Sequence, residues 1–292
     1  MVIVKLFGGL GNQMSQYAMG RRAAFARNVP LKLDIGWFNQ PGDTTSRNFD
    51  LSHFRINKEF ATQDEIKHYK SVRKILGRDL YEFMVPLSKR SLVREKLFEP
   101  FNPKFMKLGK NIYLEGYWFD ERYFKDIKDI IYTDFTLSNG LSEKFKPHEK
   151  TISVTDSISI HIRRGDYINN PVFKQLFAAC SIEYYRSALE KILPVTKKPH
   201  LFIFSDEIEW AEQYLRFSVP ATYISNKDAD SPNEEMILMS MCKHNIIANS
   251  SFSWWGAWLN KNPYKIVVAP EKWLNSDRSD IAVSLPESWL KL

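Results

Sequence analysis

Cysteine is nearly missing from this chain: Cys180 and Cys242 are the only two in 292 residues. They form no CxxC pair and no metal-ligand cluster, which argues against a disulfide framework or a zinc site. Long apolar runs are missing too. No stretch approaches the roughly 20 apolar residues a membrane helix needs. The N-terminal "MVIVKLFGGLGN" is broken by Lys5 and by glycines, so it does not read as a secretory h-region. Internal repeats and low-complexity tracts are absent, and neither sign of charge is gathered in a tail. The default expectation is a soluble cytoplasmic protein, with peripheral membrane contact as a variant of it.

What is present is ordinary for a globular enzyme-sized chain: 44% hydrophobic and 26% charged residues, with a net charge of +7. That excess suits nucleic acid, an anionic membrane or an anionic small substrate. We expect no nucleic-acid partner. The densest basic stretch, residues 67–96, also carries apolar residues at helical spacing. We read it as solvated helix faces. The alternative is a basic amphipathic patch touching anionic lipid.

The N-terminus reads as strand ("VIVKLF"), glycine loop ("GGLG"), helix ("NQMSQYAMGRRAAFARN") and second strand ("VPLKLDIGWF"). Residues 38–150 mix helical and irregular segments. From 157 the alternation is clean. Strands at "SISIHI", "HLFIFSD", "ATYIS", "HNIIANS" and "YKIVVAP" are separated by helices at "SIEYYRSALEKIL", "EIEWAEQYLRF", "SPNEEMILMSMCK" and "SWWGAWLNK". Five strands separated by four helices predict a doubly wound parallel sheet. The expected domains are 1–148 and 149–292, divided near the polar, turn-rich "NGLSEKFKPHEK".

Ligands of such sheets bind at the carboxyl ends of strands. Four polar clusters fall there: "GGLGNQ" (8–13), "HIRRGDY" (161–167), "SDE" (205–207) and "NSSFSWW" (249–255). In the first, Gly8, Gly9 and Gly11 allow close backbone approach, and Asn12 and Gln13 open a helix whose N–H groups can meet an anion. The cluster is neither a dinucleotide fingerprint, because Met14 occupies a required glycine position, nor a P-loop. In the second, Arg163 and Arg164 can neutralise a diphosphate without a metal, Asp166 can orient one of them, and His161 can bind a hydroxyl or carry a proton. The bland reading is a structural Arg–Asp pair. We discount the embedded Arg-Gly-Asp as an adhesion signal. In the last, Asn249, Ser250, Ser251 and Ser253 offer hydroxyls and helix N–H groups to phosphate. Trp254, Trp255 and Trp258 lie on helix faces, and at least two are expected in the core. Asn249-Ser250-Ser251 also matches a glycosylation acceptor, a match we set aside at a strand end. The "DAD" at 228–230 matches a metal-holding pair of sugar transferases, but its polar loop reads as a solvated turn.

In this order the clusters resemble the bacterial α-1,2-fucosyltransferases of glycosyltransferase family 11. The motifs are "GGLGNQMSQYA", "YLEGYWFDERYF" (113–124), "HIRRGDY" and "LMSMCKHNIIANSSFSWWGAWLN" (238–260). The resemblance implies an α/β fold of the GT-B type, two facing Rossmann-like domains with parallel sheets. It also implies GDP-β-L-fucose as donor, inversion, no divalent metal and no other cofactor, and the 2-hydroxyl of a terminal β-galactose as acceptor. Carried over, Arg163 meets the β-phosphate with Arg164 beside it. An acidic residue before "LMS" meets the nucleotide; here it is Glu235, where the family commonly has Asp.

That chemistry is consistent with the residues. The leaving diphosphate gains charge as the glycosidic bond breaks, and preorganised donors stabilise that charge most in the transition state. The base for the acceptor hydroxyl is left among Glu115, Asp34, Asp166 and His161. Two rivals stand: a GT-B transferase of another nucleotide sugar, and a glycan-binding module suggested by 14% aromatic content.

Overall fold

The computed structural model describes residues 1–39, 47–95, 99–225, 232–275 and 285–292. The chain divides between Thr136 and Leu137 into two units, each with its own parallel sheet.

The first unit runs β1 (Val2–Lys5), α1 (Leu10–Phe25), β2 (Leu31–Asp34), α2 (Gln63–Leu76), α3 (Arg78–Met84), β3 (Leu92–Arg94), β4 (Ile112–Glu115) and α4 (Lys128–Asp134). Its strands lie in the order β2-β1-β4-β3. The strand expected through "VPLKLDIGWF" stops at Asp34, because Gly36–Asn39 turns as a 3-10 segment. There the Asp34 carboxylate accepts from the Gly36 N–H at 2.9 Å. Helix α1 lies close on β1 at Gly20, where an added Cβ would stand 2.9 Å from Val4 Cβ. In α2, Thr62 and Glu65 form a reciprocal capping box that starts the helix. Ile66 and Tyr69 of α2 then pack on Ile3, Leu92 and Tyr113.

The second unit runs α5 (Lys146–Val154), β5 (Asp156–Ile162), α6 (Gly165–Asn169), α7 (Pro171–Leu176), α8 (Ile182–Ile192), β6 (Pro199–Ser205), α9 (Ile208–Tyr214), β7 (Ala221–Ser225), α10 (Pro232–Met241), β8 (His244–Ile246), α11 (Ser251–Leu259), β9 (Val267–Ala269) and β10 (Leu290–Lys291). The strand order is β10-β9-β8-β5-β6-β7, all parallel. All five strands expected here are present, and β10 is an addition. Phe145 and Ile152 pack in this unit's core, so α5, which spans the boundary expected at 148/149, belongs with the second sheet.

Both faces of this sheet are covered, as parallel sheets require. Strand alternation puts Ile158, Ile160 and Ile162 with Leu201, Ile203 and the α8 residues Tyr185 and Leu189. On the other face Phe202 and Phe204 meet Phe145, Ile152, Leu238 and Met239. The aromatic run of α11 is core: Trp254, Trp255 and Trp258 are all buried, with Trp254 and Trp258 stacked at 6.2 Å. Among the described residues, no helix is long and apolar enough to cross a membrane.

Candidate active site at the carboxyl edge of the second sheet

The chain leaves β5 for β6 and β7 on one side, then crosses to β8 on the other. The strand order therefore reverses between β5 and β8, which is where a doubly wound sheet opens a crevice for ligands. Two of the four sequence clusters end there. "HIRRGDY" leaves β5 and "NSSFSWW" leaves β8. They are tied directly: the Tyr167 hydroxyl donates to the Asn249 carbonyl at 2.9 Å, and the His161 ring lies 5.4 Å from the Phe252 ring.

A third cluster joins them. Register pairs Ile162 with Ser205, so the residues just past β5 face those just past β6. Asp206 accepts from the Arg164 backbone N–H at 3.0 Å and also lies 3.0 Å from Arg163 Nη1. Arg163 Nη2 donates to Asp166 at 2.7 Å. Burial works against the Arg163 charge, but Asp206 and then Asp166 more than offset it and hold the guanidinium protonated. Arg164 lies over the Trp210 ring at 3.7 Å and pairs with Glu207 at 3.3 Å. Gly165 makes this turn sterically feasible: a Cβ there would fall 2.9 Å from Asp206 Oδ2.

Two arginines thus meet three carboxylates. The pairing fixes the guanidinium planes at the strand ends. It also means that an incoming phosphate competes with Asp166 and Asp206 for Arg163. A guanidinium carries more N–H donors than these contacts consume, so bidentate pairing with a phosphate remains open to it.

The β8 turn contributes less than its composition promised. Asn249 is buried and spends its amide on the carbonyls of Ala178 and Trp273 at 2.8 and 2.9 Å. The buried Ser253 hydroxyl is satisfied by Ala248 and Ser250 carbonyls, both at 3.3 Å. Both are braces rather than ligand donors. Ser250 caps α11 by accepting from the Phe252 N–H at 3.3 Å, and with Ser251 it occupies the half-buried start of the helix. Glu235 is buried in the first turn of α10, beside Glu234, which accepts from the Ser142 N–H.

His161 is buried at the end of β5 beside Arg163. Burial, and then the charge of Arg163, push it down to about 3, so the ring is neutral near physiological pH. Its buried Nδ1 has no partner among the described residues. Glu115 is ion-paired at the end of β4. Burial pushes its pKa up, but Lys5 at 2.9 Å and Arg94 at 2.7 Å hold it below the usual carboxylate range. Asp34 is occupied by the Tyr113 hydroxyl and Gly36 N–H.

In the first unit the order reverses between β1 and β4, bringing the "GGLGNQ" loop and "EGYW" to one edge. Phe7 and Tyr117 meet edge to face at 5.1 Å. Gly9 caps α1, and Gly11 is buried in its first turn next to the half-buried Asn12. Gln13 is engaged within the protein. It is buried, donates to the Gly8 and Asn48 carbonyls at 2.9 Å each, and accepts from the Asp50 N–H at 3.0 Å. Its work is to hold the glycine loop.

This edge holds one carboxyl that the sequence reading missed. Glu95, just past β3, accepts through Oε2 from the Tyr117 N–H at 2.7 Å and from the Trp118 N–H. Trp118 adopts φ +54, a strained value for a bulky residue, and so aims its N–H at that oxygen. Burial raises Glu95 to about 8 in spite of those two bonds. No spacing in the sequence points to Glu95. Only the β3–β4 pairing of Arg94 with Glu115 brings it beside the "GYW" turn.

Other features do not form sites. The "DAD" motif lies outside the described residues. Among the described residues, no cluster of three or more His, Cys, Asp or Glu is placed to hold a metal. A concavity of about 480 Å³ lies at the amino edge of the second sheet, lined by Asp156, Lys243 and Tyr264 among others. Its charged residues pair with each other, Lys243 to Asp156 at 2.7 Å, and it is remote from the strand ends that carry the arginines.

A doubly wound α/β unit with its arginines fixed at the reversal point has the layout of a GT-B-type glycosyltransferase. The chain belongs to glycosyl transferase family 11, whose profile matches residues 95–291. It is 32% identical to an alpha-1,2-colitosyltransferase of Escherichia coli over 296 residues, all of this chain and 98% of that protein. It is 33% identical to the O-antigen biosynthesis glycosyltransferase WbnK of Escherichia coli, across 98% of this chain and 99% of the relative. Among solved structures, a variant of Arabidopsis thaliana FUT1 in complex with GDP shares the fold at a TM-score of 0.55 and 14% identity. That match covers 91% of this chain and 69% of the other.

Proposed function

We propose that this glycosyltransferase moves L-fucose from GDP-β-L-fucose, with inversion, to the 2-hydroxyl of a terminal β-galactose. The observation that carries the reading is the Arg163–Arg164 pair at the β5/β8 reversal in a family 11 chain. The nucleotide diphosphate lies against these guanidinium groups and the first turn of α11. As the bond to the sugar lengthens, charge grows on the β-phosphate, and the arginines answer it without a divalent ion. Membership of the family and the GDP in the FUT1 structure support a guanine nucleotide donor. The expected site of action is the cytoplasm.

Deprotonation of the acceptor falls to a carboxylate other than Glu115. Asp166 is held by Arg163, whereas burial raises Glu95 to about 8.

One observation favours a second donor. A relative matched over this whole chain is an alpha-1,2-colitosyltransferase, and colitose is fucose without one hydroxyl. A site that hydrogen-bonds that hydroxyl rejects the deoxy sugar by roughly 10⁴-fold or more, whereas an apolar site accepts both. The test is transfer from GDP-fucose and GDP-colitose to a panel of β-galactosides, with linkage analysis of the products. Faster transfer from GDP-fucose to O2 supports the first reading. Faster transfer from GDP-colitose replaces it, and tighter binding of UDP than of GDP removes both.

A further inference from the structure

We propose that Phe7, Trp37 and Tyr117 form an aromatic platform at the carboxyl edge of the first sheet, on which the acceptor sugar stacks. The inference rests on the galactoside reading above and names the residues that select that sugar. The β1–β4 register builds the platform. Ile3 pairs with Tyr113, and both pack beneath α2. Two residues on, the same face carries Lys5 and Glu115, an ion pair at 2.9 Å. Two residues further, beyond the strand ends, it carries Phe7 and Tyr117, whose rings meet edge to face at 5.1 Å. The face thus steps from core to charge to aromatic surface. Trp37, in the 3-10 segment after β2, extends that surface: its ring lies 6.4 Å from Phe7 at 57°. The core aromatics Tyr113 and Trp118 are fully buried, whereas these three rings are only half-buried. Neither of their mutual contacts is a face-to-face stack. They stand where the strand order of the first sheet reverses, the place at which such sheets bind ligands.

The chemistry beside the rings is that of a sugar. A saccharide needs an apolar surface for its C–H face and, at the rim, groups that both donate to and accept from hydroxyls. Lys5 supplies donors, and its Nζ lies 5.6 Å from the centre of the Phe7 ring. Glu115 supplies acceptors: each oxygen already takes one bond, from Lys5 and from Arg94 at 2.7 Å, and each has lone-pair capacity left. The Tyr117 backbone is fixed by its N–H bond to Glu95 at 2.7 Å, so its ring is held in place before any sugar arrives. The axial O4 of β-galactose gathers C3–H, C4–H and C5–H on one face, and that face lies on the rings. The platform runs from Trp37 through Phe7 to Tyr117, so it also receives the sugar to which the galactose is attached.

The experiment joins acceptor kinetics to direct binding, with the full chain and lactose as probe. Trp37→Ala and Tyr117→Ala should each raise KM for lactose roughly tenfold, a ring contact of the usual size, with kcat and the GDP affinity by calorimetry unmoved. Trp37→Phe and Tyr117→Phe, which keep a ring, should recover most of that loss. Where an alanine variant lowers the melting temperature, Trp37→Leu and Tyr117→Leu keep the apolar bulk, remove the ring and carry the same expectation. In saturation-transfer NMR with GDP bound, H3, H4 and H5 of the galactose should receive the most saturation, and the ring-deleting variants should lose it. A KM unmoved by the ring deletions, or a wild-type protein that saturates no galactose proton, overturns the platform. Transfer only from another nucleotide sugar, with lactose still bound and its KM still raised, overturns the donor reading and supports the platform.

Discussion

Arg163 carries the largest expected effect of any single side chain. Arg163→Ala removes a donor to the growing phosphate charge and should lower kcat by roughly 10²–10³, with weaker GDP binding by calorimetry. Full GDP affinity in that variant would show that Arg163 only braces Asp166 and Asp206. Gly165→Ala tests the same corner differently. Its Cβ would fall 2.9 Å from Asp206 Oδ2, so it displaces the carboxylate that orients both arginines. Activity should drop while GDP still binds. His161 is pushed down to about 3, so the pH–rate profile should show no histidine inflection between pH 5 and 8. Glu95 has the opposite consequence for stability. Its folded pKa of about 8 lies above the ordinary carboxylate value, so the native state binds its proton more tightly than the unfolded chain does. That stabilisation is full in acid and is lost as pH rises toward 8. Glu95→Gln should flatten this slope in denaturant titrations at stepped pH. Arg163, Arg164 and the helix-opening serines were legible as residues. Asp166 was legible as an arginine partner too; the pairing with Asp206 and Glu207 of the "SDE" cluster was not, because these reach the arginines only through the β5–β6 register.

Among the elements, helix α1 and its contact with β1 are the least forgiving. Gly20 faces Val4 Cβ at a distance where no Cβ fits, and Leu31 closes the same gap. Gly20→Ala should therefore cost about 1–3 kcal/mol in chemical denaturation through overpacking, despite the better helix propensity of alanine. Strands and helices from 157 to 269 could be read from sequence because apolar alternation in strands and 3.6-residue spacing in helices change over cleanly there. The stretch from 55 to 105 resisted reading for two physical reasons. Strand β3 is three residues long, too short to show a period, and α2 and α3 carry their apolar residues on both buried and exposed sides. Strand β10, two exposed residues, had no signal at all.

Taken whole, the proposed mechanism sets fixed cations where other transferases use a metal, and this gives a global expectation. Transfer activity should survive EDTA, assayed with product quantification; an Mn²⁺ requirement would overturn the arginine mechanism. The pairing of Arg163 and Arg164 with Asp166, Asp206 and Glu207 has a further outcome for the catalytic cycle. In the proposed cycle these carboxylates are the resident counter-ions to which the guanidinium groups return once the sugar has gone, so the grip that speeds bond cleavage need not slow release of the spent nucleotide.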